Sequence, residues 1–142
     1  MKKPALILLV LILPLAGAGS LYLFAGNKTV VNIVVERPRA DEAIGLPLVL
    51  AGKARTFENT VNYRVRDEDN SILLEDFLTA ESADIGMFGA FHKEVFYPEP
   101  EGTSGVVEVF EYSAEDGSEL HMVRIPIIFR SVEGETEEVL QP

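Results

Sequence analysis

The sequence predicts an all-β body, an antiparallel sandwich of about seven strands, behind one apolar N-terminal segment. Short apolar runs with a two-residue period recur along the 142-residue chain at a spacing of roughly ten residues. Clusters of Gly, Pro, Asn and Asp separate these runs, and no helical period follows the N-terminal segment. The clearest pair of runs flanks Ala114–Ser118, where Asp116-Gly117 supplies the positive φ of a tight hairpin.

Residues 1–26 are interpreted as a membrane anchor or a signal segment. Pro4–Gly26 carries no charge and follows Lys2 and Lys3. As a transmembrane helix it covers the roughly 30 Å core of a bilayer and leaves its N-terminus in the cytoplasm. The small residues Ala16–Ala18 leave signal cleavage open, although the apolar run continues past them, which favours the uncleaved anchor. In both interpretations the domain that follows the linker 27–28 is exported from the cytoplasm.

The first half of the body contains three predicted strands. Thr29–Val35 is rich in β-branched residues and is interrupted at Pro38, as expected of an edge strand that breaks off and re-enters. Pro47–Arg55 ends in small residues, which implies a closely packed neighbour. Thr60–Arg66 alternates apolar and polar residues and follows a turn.

The second half contains four more. Ser71–Thr79 is the fourth predicted strand, and Phe88–Tyr97 is the fifth, after a loop at Ala80–Met87. The hairpin within Gly105–Phe129 supplies the sixth and seventh. One face of the seventh is apolar, with Val123, Ile125, Ile127 and Phe129. The body therefore spans residues 29–130, and the acidic segment 131–142 is predicted to be a solvated tail.

Composition excludes several classes of site and partner. The chain has no cysteine, which removes disulfides, thiolate metal sites and thiol catalysis. Its 23 acids and 12 bases give a net charge of -11, so nucleic acids and anionic lipid surfaces are poor partners. Nucleophile-elbow, phosphate-loop and dinucleotide motifs are missing from the sequence. We therefore expect a protein that is not an enzyme and that uses no cofactor.

The sequence also predicts no metal site. Asp67, Asp69 and Ser71 have the first three spacings of a calcium loop, but Ile72 stands where the loop glycine belongs. The two histidines lie on different predicted strands with no ligand spacing between them.

One pole of the sandwich is the first candidate binding site. The loop between the second and third predicted strands and the loop of the last hairpin meet there. The pole collects polar and aromatic residues from distant parts of the sequence: Phe57, Glu58, Asn59, Glu111, Tyr112, Asp116 and Glu119. In the alternative interpretation, Glu58, Asn59 and Glu111 satisfy loop amides and Phe57 is a plug. The first strand starts at this pole, so the two-residue linker predicts that the pole faces the membrane.

The outward side of the third, sixth and seventh predicted strands is the second candidate. It carries Arg64, Arg66, Glu108, Phe110 and Arg124. Arginines over an aromatic ring with a carboxylate nearby recognise acidic or glycan ligands. The alternative is a set of cross-strand pairs on a solvated face.

Two stretches resemble a known family. Gly52–Asn70 and Val107–Ile127 resemble the immunoglobulin-like domain found beside GerMN domains in bacterial spore germination proteins, the second Gmad type. The resemblance covers most of Thr29–Arg130 and is most specific at FENTV (57–61), at FEYSA (110–114) and at DGSE (116–119). It implies an extracytoplasmic immunoglobulin-like sandwich with an adhesive or scaffolding role, without assigned catalytic residues.

The expected function is that of a non-catalytic, membrane-anchored, extracytoplasmic module that binds or spaces a component of the bacterial cell envelope. Its expected partners are the membrane, through residues 4–26, and an envelope protein or cell-wall component. One alternative is a cell-wall glycan hydrolase that uses Glu58, Glu111 or Glu108. Another is a subunit of a larger envelope assembly, in which the small residues 16–20 permit close helix packing.

Overall fold

The computed structural model describes residues 30–130 as eight strands in two packed sheets. The strands are β1 (Ile33–Arg37), β2 (Glu42–Ile44), β3 (Leu48–Ala54), β4 (Thr60–Asp67), β5 (Ile72–Thr79), β6 (Gly89–Val95), β7 (Ser104–Tyr112) and β8 (Glu119–Phe129). One sheet has the order β1-β3-β6, and the other has the order β2-β8-β7-β4-β5. A single 3-10 turn, Phe57–Asn59, connects β3 to β4. The expected all-β sandwich is confirmed.

The path of the first strand differs from the expectation. The chain breaks off after β1, as Pro38 predicts, but it re-enters in the other sheet as β2, an eighth strand. There it pairs parallel to β8, so the expectation of a purely antiparallel sandwich is wrong at this pair. The chain does not reverse direction between β1 and β2 when it passes from one sheet to the other. β8 runs in this same direction, so β2 pairs with it in parallel. The Asp41 amide donates to the Pro126 carbonyl at 2.8 Å and fixes the crossing.

The core lies between the sheets and follows the predicted alternation. Val61 and Val65 of β4 are fully buried, as are Val107 and Val109 of β7. In β8 the predicted apolar face is also confirmed, since Ile125, Ile127 and Phe129 are buried and the residues between them are exposed. Burial of such faces is the main stabilising contribution to a chain that contains no disulfide.

The two ends of the sandwich are chemically different. At one end, which we call the near pole, β1 begins beside the end of β3, where Ile33 pairs with Ala54. The 3-10 turn, the loop before β6 and the turn between β7 and β8 lie at the same end. At the opposite end, the far pole, β8 finishes beside β2, where Phe129 pairs with Ile44.

The predicted anchor Pro4–Gly26 and the predicted tail 131–142 lie outside the described residues. Within residues 30–130 no helix has the length and apolarity needed to span a bilayer.

Candidate functional site

The near pole brings several of the predicted site residues together. The Phe57 amide donates to Glu111 Oε2 at 2.9 Å, which ties the 3-10 turn to the end of β7. Glu111 Oε1 lies 3.3 Å from His121 Nε2 at the start of β8. Phe57, Glu58, Glu111 and Tyr112 line an open cleft of about 330 Å³. The cleft is therefore assembled from two loops far apart in the sequence, as the topology predicts.

The remaining residues of this predicted site have other roles. Asn59 contributes its backbone carbonyl, which accepts a hydrogen bond from the Ala80 amide at 2.8 Å. Asp116 closes its own turn, because its Oδ1 accepts from the Ser118 amide at 3.0 Å and from the Ser118 hydroxyl at 2.7 Å. Phe57 is 62% exposed, so its ring does not act as a plug. Glu111 does satisfy a loop amide, and Phe57 is left free to contact a partner.

Four charged residues form a row across the outer face of the five-stranded sheet. Glu75 of β5, Arg64 of β4, Glu108 of β7 and Arg124 of β8 stand directly opposite one another on adjacent strands. Arg64 donates to Glu75 at 2.8 Å and to Glu108 at 2.9 Å, and Arg124 Nη2 is 2.6 Å from Glu108. We call this alternating row the charge ladder.

Two further residues complete the charge ladder. Arg66 Nε donates to Glu108 Oε2 at 3.0 Å, and Arg64 Nη2 donates to Glu119 Oε1 at 2.5 Å. Glu119 thus belongs to the ladder as well as to the near pole. The two predicted surfaces, which were separate in the sequence interpretation, are one continuous structure.

Aromatic rings cover the ladder from the near-pole side. The Arg64 guanidinium lies 4.7 Å from the centroid of the Phe110 ring, and the Tyr112 ring meets Phe110 edge-on at 5.1 Å. The Tyr112 hydroxyl donates to Glu75 at 2.7 Å. The side chain of Arg64 is only 6% exposed, and that of Glu108, among its three arginines, is 2% exposed. The predicted cross-strand pairs exist, but the idea of a solvated face is wrong at these two residues.

The pKa shifts of Glu108, Glu75 and Arg64 favour the charged form of each group. Burial alone would raise the pKa of Glu108, but the hydrogen bond and charge of Arg66, together with Arg124 and Arg64, outweigh it and lower that pKa. The hydrogen bond from Tyr112, then that from Arg64, lowers the pKa of Glu75. Burial opposes the charged form of Arg64, yet the bonds to Glu119 and Glu75 raise its pKa. Three arginines therefore face three carboxylates, and the compensated ladder offers little net charge to an acidic ligand.

The far pole contains a larger cavity that sequence reasoning missed. Its volume is about 570 Å³, and its lining includes Leu46, Tyr97, Thr103, Phe129 and Arg130. The Tyr97 and Phe129 rings stand 5.6 Å apart, and the Tyr97 hydroxyl donates to the Gly45 carbonyl at 3.3 Å. Mostly apolar cavities with a few polar groups are the usual form of a ligand site. A sequence signal existed, since Tyr97 and Phe129 each end an alternating run, but their proximity depends on the pairing of distant strands.

The geometry does not favour the hydrolase alternative. A glycosidase needs a carboxylic acid with a raised pKa beside a second carboxylate. The pKa of Glu108 is lowered, and three arginines enclose its carboxylate. Glu111 already accepts a hydrogen bond from the Phe57 amide and contacts His121.

Among the described residues, no group of three or more His, Asp or Glu side chains is arranged to hold a metal ion.

A scan against family models matches residues 32–118 to Gmad2, the immunoglobulin-like domain of bacterial spore germination. Neither the curated proteins nor the solved structures gave a match to this chain. The matched region runs from the start of β1 to the turn before β8, and it includes the near-pole cleft and most of the charge ladder.

Proposed function

Because the chain belongs to the Gmad2 family of immunoglobulin-like domains of bacterial spore germination, we propose that it is a membrane-anchored, extracytoplasmic module that binds or positions an envelope component without catalysis. The family supports a binding or scaffolding role. The membrane anchor and the envelope location are parts of the proposal that rest on the sequence of residues 1–26.

The observation that carries the proposal is the polarity of the domain. β1 begins at the near pole, a few residues after the uncharged segment Pro4–Gly26. The far-pole cavity lies at the other end, and the nine residues of β7 separate the poles by about 30 Å. An anchored domain of this shape presents the cavity away from the bilayer, where an envelope partner can reach it.

The charge ladder supports the scaffolding part of this role. Hydrogen-bonded ion pairs connect four strands, and the central pair, Arg64–Glu108, is buried, so the ladder restricts the relative movement of those strands. A rigid sheet holds the two poles at a fixed separation. We assign the ladder a structural role for this reason, and we assign partner contact to the far-pole cavity.

The location is tested with single cysteines, because the natural chain has none. A Glu99→Cys variant of the full chain places a thiol at the far pole, and a Lys3→Cys variant places one before the predicted anchor. In intact cells a membrane-impermeant maleimide should label position 99, and it should label position 3 only after permeabilisation. The reverse pattern would contradict the proposal.

The binding role is tested by photo-crosslinking in intact cells. A photoreactive amino acid at Leu46, in the lining of the far-pole cavity, should give a discrete crosslinked product. Phe77 on β5 is the matched control, since it is exposed to a similar extent, 58% against 53%, and is not among the cavity lining. Equal crosslinking from both positions would show that the cavity is not the contact.

A further inference from the structure

An apolar surface at the near pole is not used by the proposed function. Val30, Val31, Phe57, Ile85, Met87 and Phe88 are all exposed, and we call them the apolar rim. Single exposed apolar side chains are ordinary on a soluble protein. Six exposed apolar residues on neighbouring segments are instead a candidate for a surface that contacts a protein or a membrane.

Contacts through Arg55 connect the segments that carry the rim. The Arg55 amide donates to the Asn32 carbonyl at 2.8 Å, so Val31 is adjacent to the end of β3. The Arg55 guanidinium donates to Asn32 Oδ1 at 2.9 Å and lies 5.2 Å from the centroid of the Phe88 ring. Phe57 follows Arg55 by two residues. The chain entry, the 3-10 turn and the loop before β6 therefore form one surface.

The loop that carries Ile85 is held in its exposed form by hydrogen bonds. The Ser82 hydroxyl donates to the Asp84 carbonyl at 2.5 Å and lies 3.1 Å from the Met87 carbonyl oxygen, and the Ile85 amide donates to Asp84 Oδ1 at 2.7 Å. The Glu81 amide donates to the Ala90 carbonyl at 2.8 Å and closes the base of the loop. Ile85 is 95% exposed at the tip. A braced loop that holds an isoleucine in water is suited to insertion into an apolar phase.

We propose that the apolar rim inserts into the lipid–water interface of the membrane that holds the N-terminal segment. This inference rests on the proposed function, because it needs Pro4–Gly26 to span the bilayer. Val30 follows Gly26 by four residues, which span at most about 14 Å when extended. The rim is therefore within reach of the interface as soon as the chain leaves the membrane.

The charges of the rim segments are nearly balanced. Beside the exposed apolar residues the sequence has three acids, Glu58, Glu81 and Asp84, and two bases, Lys28 and Arg55. A surface without an excess of positive charge is not attracted to anionic headgroups. It therefore fits a zwitterionic or neutral interface.

The natural chain has no tryptophan, so a single one reports on its own surroundings. Three variants of the full chain are placed in phosphatidylcholine vesicles whose acyl chains are brominated near the headgroup. Ile85→Trp reports on the rim, Phe96→Trp on an exposed site at the far pole, and Leu21→Trp on the anchor. We expect the emission of Ile85→Trp to shift to the blue and to be quenched, while Phe96→Trp is unaffected.

The anchor variant separates the two hypotheses. Quenching of Leu21→Trp without quenching of Ile85→Trp would overturn the rim inference and leave the anchor in place. Absence of quenching in both would also remove the anchor. A blue shift of Ile85→Trp without quenching would show that the rim meets protein, either a partner or a second copy, and would overturn lipid contact. Equal quenching of Ile85→Trp and Phe96→Trp would show a domain that lies on its side, which also contradicts the inference.

Discussion

Glu108 shows how one residue organises the outer face of the larger sheet. Its carboxylate lies within 3.0 Å of nitrogen atoms of Arg64, Arg66 and Arg124, and its side chain is almost fully buried. A buried ion pair stabilises the folded state little more than an apolar pair does, because the cost of desolvating both charges offsets their attraction. The loss of one partner is much more costly, since the other charges stay buried without compensation.

We predict that Glu108→Gln lowers the free energy of unfolding by about 3–5 kcal/mol, because the neutral amide leaves Arg64 and Arg66 undercompensated. For a domain of this size the melting temperature should fall by more than about 10 °C in thermal unfolding followed by circular dichroism. Glu94→Gln is the matched control, since Glu94 is exposed on β6, and it should change stability by less than about 0.5 kcal/mol. Equal effects of the two substitutions would contradict the assigned role of Glu108.

At the level of strands, the sequence predicted well which segments form strands and which face of a strand points to the core. Alternation of apolar and polar residues identified β3, β4, β6, β7 and β8, β5 was predicted as the segment after a polar turn, and Asp116-Gly117 located the last turn. β2 was missed as a separate parallel strand, because three residues are too few to show a period. The burial of Arg64 was also missed. Alternation tells which face a residue occupies, and it does not tell whether rings such as Phe110 and Tyr112 cover that face.

Two glycines allow the packing of one strand pair to be tested. A Cβ at Gly52 of β3 would lie 2.1 Å from the Val34 carbonyl oxygen of β1 and 2.7 Å from Cζ of Phe91. A Cβ at Gly45 would meet no atom within 4 Å. Both changes to alanine reduce the entropy of the unfolded chain by the same amount. The difference between the two variants therefore isolates the clash.

We predict that Gly52→Ala destabilises the full chain by about 1–3 kcal/mol relative to Gly45→Ala, because the backbone of β1 has to move. Urea unfolding of both variants measures the difference, and the urea dependence of the unfolding free energy should stay unchanged. Similar midpoints for the two variants would show that β1 is loosely paired.

For the whole molecule, two electrostatic effects oppose each other as the pH falls. The chain has a formal net charge of -11 at pH 7, so protonation relieves repulsion between distant carboxylates. Protonation also removes the native ion pairs of the charge ladder. Repulsion between exposed groups is screened beyond about 8 Å at physiological ionic strength, whereas the buried pairs are screened much less. The loss of the ladder should therefore dominate in physiological salt.

The sign of the pH dependence follows from the lowered pKa values of Glu108 and Glu75. The unfolded chain takes up protons at the ordinary glutamate pKa of 4.5, whereas these folded carboxylates do so only at lower pH. Their stabilisation is complete above pH 4.5 and is lost as the pH falls through the folded pKa values. We predict that the melting temperature of the full chain falls steeply below that point and that Glu108→Gln has a shallower profile. Parallel profiles for the natural chain and the variant would mean that the pKa of Glu108 is the same in the folded and unfolded states, and Glu108 would then not be a source of the acid sensitivity.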